Sequence, residues 1–218
     1  ATAGDYDVSI SGDFPRIYIN NNATNKVKLI DIKQWGNIVW SSFRSAFYGC
    51  SNLTGSFTDA PNLTNVTTLE RAFYQCSLFN QNIGSWDVSN VTNMNRTFFQ
   101  AFAFNQPIGN WDVSNVTNMN RTLFQNTNFN QSLNWDVSSA TDMSVLLSGA
   151  TLSTANYDAT LINLESKLQA IYPNGNGYTA NISTSFGTSK YTGGGLAAAA
   201  HASLGSVFSW SIADGGIA

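Results

Sequence analysis

Phe104–Gln125 reads FNQPIGNWDVSNVTNMNRTLFQ, and the segment Phe79–Gln100 before it reads FNQNIGSWDVSNVTNMNRTFFQ. A worn copy, FNQSLNWDVSSATDMSVLL, starts at Phe129. Trp86 and Trp111 are 25 residues apart, and Trp111 and Trp135 are 24 apart, because the third copy lacks one residue between Gln131 and Trp135. Self-similarity at this period marks a solenoid.

The pattern reaches further than its spelling. Phe43, Leu69, Met94, Met119 and Met143 share one slot. Four residues on stand Phe47, Phe73, Phe98, Leu123 and Leu147, and three further on Cys50, Cys76, Ala101, Asn126 and Ala150. Offsets of i, i+4 and i+7 place all three slots on one helical face. The spacing therefore predicts at least five coils, each with a short helix. Arg71, Arg96 and Arg121, two residues after the first slot, would face solvent on such a helix. Trp86/Val88, Trp111/Val113 and Trp135/Val137 alternate with Asp87, Asp112 and Asp136, which predicts a short strand. Ser89 or Thr92, and their counterparts Ser114/Thr117 and Ser138/Thr141, would cap the helix that follows. One strand and one helix per coil give an α/β fold, a right-handed solenoid of about 25-residue strand–helix repeats, leucine-rich-repeat-like in plan.

Three segments follow. Residues 1–36 do not repeat. Their alternating Tyr6, Val8, Ile10, Ile17 and Ile19 predict an N-terminal antiparallel β cap. Residues 37–152 hold the repeats. Residues 153–218 form a C-terminal α/β capping segment. There Ser153 or Thr154 opens a helix burying Leu161, Leu164, Leu168 and Ile171, a strand runs near 178–183, Leu196–Leu204 is helical, and a last strand holds Phe208, Trp210 and Ile212.

Only 11% of the 218 residues are charged and the net charge is −3, which leaves no basic footprint for nucleic acid. No apolar run is long enough for membrane insertion. Ala1 reads as a processed end or the start of a fragment. Cys50 and Cys76 fill a slot for small residues. They are either buried thiols or a bridge between neighbouring coils. Helices in adjacent layers lie roughly 8–10 Å apart, wider than a disulfide's reach of about 7 Å, which favours thiols.

The phrases FNQPIGNWDVSNVTNM, QWGNIVWSSFRSAFYGCSNLT and SWSIADGG resemble BspA-like bacterial surface-protein repeats, also catalogued as a domain of unknown function in mycoplasma surface lipoproteins. The likeness spans roughly Asp31 to Gly216. It implies an extracellular or cell-surface protein of bacteria, or a structural protein on a phage virion, and it supplies no catalytic residues.

The residues themselves offer little chemistry. Asp87, Asp112 and Asp136 form a ladder, suited to Asx-turns or, alternatively, to calcium. Asn80/Asn105/Asn130 and Asn90/Asn115 read as amide ladders serving turn backbone, with an ice- or sugar-binding surface as the rival. Trp86, Trp111 and Trp135 read as core rather than sugar platforms. With one histidine, His201, and two glutamates, Glu70 and Glu165, no triad or metal set assembles. Paired aspartates for glycoside hydrolysis are the only enzymatic alternative. The expectation is thus a non-enzymatic adhesion or recognition module without cofactor or metal. Its partner is a protein or glycan on a cell or virion surface, and it is open to homo-oligomer or larger assembly. The alternative is a purely structural spacer or decoration module of an envelope or virion. Arg71, Arg96 and Arg121 are the candidate binding residues, suited to a polyanionic or sulfated partner.

Overall fold

The computed structural model describes residues 4–12 and 14–218. Ala1 lies outside them. Successive copies of the phrase lie directly against one another. Leu69, Arg71, Phe73 and Gln75 donate their N–H groups to the carbonyls of Asn93, Asn95, Thr97 and Phe99 at 2.7–3.0 Å. Met94, Arg96, Phe98 and Gln100 repeat this onto Asn118, Asn120, Thr122 and Phe124, and Met119, Arg121, Leu123 and Gln125 onto Asp142, Ser144, Leu146 and Ser148. The intervening N–H groups turn inward: Ala72 donates to Leu69, Tyr74 to Arg71 and Cys76 to Phe73. Alternate donors therefore serve the next coil and the local turn, so none of these buried donors is left without an acceptor.

This arrangement overturns the expected α/β solenoid of strand–helix repeats. Among the described residues the only helices are α1 (Thr154–Ile171) and α2 (Gly195–Ser206), besides a 3-10 turn at Pro173–Gly175. The only sheet has two strands, β1 (Ser183–Ser185) and β2 (Ser211–Ala213). None of these elements lies in the five coils. The segments read as helices make their hydrogen bonds to the next coil instead of four residues back. Left-handed residues recur every fourth position, at Arg71 and Gln75, Arg96 and Gln100, and Arg121 and Gln125, with φ of 55–58°. Each reverses the chain, so the side chains four residues apart return to the same side. Met94, Phe98 and Ala101 are fully buried, and their spacing imitates a helical face without a helix.

The segments read as strands are not strands either. Trp86 and Val88 both point inward, as do Trp111 and Val113, but no ladder joins them. Isolated parallel bridges lie elsewhere, at Thr68↔Asn93, Asn93↔Asn118 and Asn118↔Asp142, within the stretches expected to be helical. The antiparallel N-terminal β cap is likewise absent from the described residues. The early chain instead continues the coils, with a parallel bridge Arg16↔Ser42 and bonds from Ile19 N to Ala46 O and Asn21 N to Tyr48 O.

One core runs the length of the stack. Phe73 and Phe98 stack at 5.5 Å, Phe79 and Phe104 at 6.2 Å, and Phe104 and Phe129 at 6.3 Å. Cys50 and Cys76 are free and buried. Burial pushes the Cys50 thiol up to about 12 and raises Cys76 as well; both remain small buried thiols, and Cys76 Sγ donates to Phe47 O at 3.0 Å.

After Leu152 the helix–strand–helix–strand order matches expectation. Ser153 Oγ caps α1 by accepting from Asn156 N, and Tyr157, Leu161, Leu164 and Leu168 form its buried side; Ile171 is exposed. β1 comes later than expected. It pairs in parallel with β2 and meets the fifth coil through Leu147 N to Ser185 O and Thr184 Oγ1 to Met143 O. The two strands thus extend the line of the coils.

Candidate binding face

Three rows of side chains run side by side along the stack. The first is the guanidinium row. Arg71, Arg96 and Arg121 are half-buried and sit at left-handed backbone positions. Their solvent-side placement arises from turns, not from a helix. Glu70 is held between Arg44 Nε at 3.2 Å and Arg71 Nη1 at 3.1 Å. Arg96 and Arg121 differ: each donates to a neutral amide, Asn95 Oδ1 at 3.0 Å and Asn120 Oδ1 at 2.9 Å. Neither makes an ion pair among the described residues.

The second row is aromatic. Tyr48 and Tyr74 lie 4.5 Å apart, Tyr74 and Phe99 stack at 4.4 Å, and Phe99 and Phe124 at 4.8 Å. These separations match the strand spacing of about 4.8 Å that stacked backbone imposes. Tyr74, Phe99 and Phe124 stack face to face, while Tyr48 meets Tyr74 at a tilt of 58°. All three arginines lie close enough to Tyr74 to act on its hydroxyl. Burial, then Tyr48, raise its pKa, against the pull of Arg96, Arg71 and Arg121.

The third row is a chain of amides. Gln75 Nε2 donates to Gln100 Oε1 at 2.9 Å, and Gln100 Nε2 to Gln125 Oε1 at 2.6 Å. The sequence reading singled out the arginines and missed the other two rows. Their signal was present: an aromatic follows the core residue at 48, 74, 99 and 124, and glutamine follows it at 75, 100 and 125.

The other sequence candidates serve the backbone. Asp87 Oδ1 accepts from the Ser89 N–H and hydroxyl, Asp112 from Ser114 likewise, and Asp136 from the Ser138 N–H, which are Asx-turns. Asn80 Oδ1 accepts from Asn105 N, Asn105 Oδ1 from Asn130 N, and Asn130 Oδ1 from Ser153 N. Asn90 and Asn115 reach back to Thr64 O and Ser89 O. Trp111 and Trp135 bury their rings and donate Nε1 to Ile83 O and Ile108 O. Because that contact repeats, the missing residue before Trp135 leaves the tryptophan register intact. Asp112 and Asp136 share a hollow of about 340 Å³ with Lys167. Among the described residues no three metal-ligating side chains gather, and no helix is long and apolar enough to cross a membrane.

The family described as "Mycoplasma protein of unknown function, DUF285" matches residues 41–160 of this chain. No curated protein and no solved structure matches it.

Proposed function

From the premise that the chain belongs to the family of Mycoplasma proteins of unknown function, we propose a non-catalytic recognition module displayed at the cell surface. Its three-row face grips an extended acidic glycan. The likeness of the WDVSNVTNM phrase to BspA-like surface repeats supports display outside the cell. The observation that carries the binding role is the guanidinium row. Arg96 and Arg121 are held in place by neutral amides, and among the described residues neither bonds a carboxylate, although the Arg121 charge also acts on Asp142. A planar guanidinium suits the forked oxygens of sulfate or carboxylate groups. Stacked coils repeat such a group along one line, which favours a polymer over a small ligand.

The test is the triple variant R71N/R96N/R121N on a dextran sulfate surface. Asparagine tolerates the left-handed backbone that these positions require. Parent binding should weaken as salt rises, because exposed charges are screened. The folded variant should bind less at low salt and lose the salt dependence. Equal binding by both proteins at both salts would remove the arginine face from consideration. Hydrolysis of a glycan, abolished in D112N/D136N, would overturn the non-catalytic part.

A further inference from the structure

The amide row has a direction and an end. Each glutamine donates Nε2 to the next, so Gln75 presents the acceptor terminus, Oε1, toward the first coil. In that coil the glutamine slot holds Gly49, at φ 83°. A Cβ there would meet Asn21 Oδ1 at 2.5 Å and Lys26 Cδ at 3.0 Å. The N-terminal segment lays Lys26 over the glycine, and the amide chain cannot continue. A hollow of about 240 Å³ opens at this break, lined by Lys26, Ser51, Gln75, Ser77 and Gln100 around Gly49. Phe102 forms its apolar wall. Phe102 is 42% exposed, and among the described residues no other ring stacks on it, unlike the stacked rings of the aromatic row.

We propose that this hollow is a subsite for one neutral pyranose unit of a glycan. Its polar groups include both donors and acceptors. Gln75 Oε1 accepts. Lys26 Nζ gives one proton to Asn21 Oδ1 at 2.8 Å and keeps two others to donate. Ser77 Oγ donates to Ser51 O at 3.2 Å and keeps its lone pairs as acceptors. A sugar hydroxyl is both donor and acceptor and satisfies such a mixed set. The C–H face of a pyranose is apolar and fits an open aromatic face. No carboxylate lines the hollow and only one ammonium does, so recognition rests on shape and hydrogen bonds rather than on charge. The hollow shares Gln75 and Gln100 with the amide row but is lined by no arginine, so the arginine variant separates the two readings.

The experiment screens the folded full chain on an array of neutral glycans at low and high salt. Phe102→Ala, Gln75→Leu and the triple arginine variant are screened in parallel. The parent should retain at least one neutral glycan with little salt dependence. Removing the stacking ring or the acceptor should each weaken that binding by about tenfold, the usual scale for losing one well-made contact. The triple arginine variant should bind it like the parent. In a titration with the retained glycan, the side-chain amide resonances of Gln75 and Gln100 should shift. The proposal is overturned if the parent retains no neutral glycan, or if both single variants bind as the parent does. Loss only in the arginine variant would place glycan binding on the guanidinium row and empty the hollow of its role.

Discussion

Asn126 is a polar residue in a slot built for small apolar ones. Its side chain is fully buried and neither amide atom has a hydrogen-bond partner. The same slot holds Cys50, Cys76, Ala101 and Ala150 in the other coils. A buried amide left unpaired costs about 1–3 kcal/mol. Asn126→Cys should therefore raise stability in a denaturant melt by about 1 kcal/mol, after some loss of packing. A drop in the midpoint would show that the amide is satisfied in solution. The arginines invite a second test at this scale. Arg96 holds φ 57°, a region that costs an L-residue about 1–2 kcal/mol and glycine almost nothing. Arg96→Gly should be more stable than Arg96→Ala by roughly 1 kcal/mol, and the opposite order would mean that the turn relaxes on substitution. Much at this scale was legible beforehand: the Asx role of Asp87, the amide ladder of Asn80, the buried Trp111. Each depends on short-range bonds that the residue type itself favours. The backbone sign at Arg96 was not legible, because arginine has no preference for it.

At the scale of the coil, the sequence carried the right burial pattern and the wrong secondary structure. Met94, Phe98 and Ala101 do face the core. Periodicity reports only which side chains share a side, and a chain reversing every fourth residue produces nearly the same offsets as a helix. What separates the two is the destination of the backbone N–H groups, and that is a property of the neighbouring coil. The third copy lost the residue that corresponds to Gly84 and Gly109, which shows the same dependence. A Cβ on Gly109 would stand 2.4 Å from Ser132 O, and one on Gly84 2.6 Å from Pro107 O. These glycines let adjacent coils approach. Asn134 has no further coil of this kind above it: there α1 packs instead, with Thr160 Oγ1 accepting from Leu133 N. Gly109→Ala should destabilise by about 1–3 kcal/mol, as overpacking does, while at Gly36 an added Cβ meets nothing within 4 Å, so Gly36→Ala tests backbone strain alone. A Gly109→Ala variant as stable as the parent would mean that close approach is not what selects glycine at 109.

Across the whole molecule, stability below neutral pH should report the carboxylates that hold turns together. Asp87 is held below the usual carboxylate range by the Ser89 hydroxyl and N–H. Burial pushes Asp142 up, but the Ser144 hydroxyl and N–H, the Asn120 amide and Arg121 outweigh it, and the net shift is downward. A carboxyl group whose pKa is lower folded than unfolded binds its proton more weakly in the fold. Its contribution is complete above the unfolded pKa and fades as pH falls through the folded one. Melting temperature should therefore hold steady from neutral pH down to about 5 and decline below about 4, where the unfolded carboxyls begin to protonate. Asp142→Asn isolates one part of that decline. Asn93 and Asn118 occupy the same slot in the two preceding coils, and each accepts from the N–H two residues on, at 2.8 and 3.0 Å. The amide should keep the turn while removing the titration. The variant's melting temperature should then fall less steeply in acid than the parent's. A chelator should move neither curve, since Oδ1 of each ladder aspartate already serves its own turn and among the described residues no three metal-ligating side chains gather. Superimposable acid limbs for parent and variant would mean that Asp142 gains nothing from its ionised form. A loss with chelator that calcium restores would reassign the ladder to a metal.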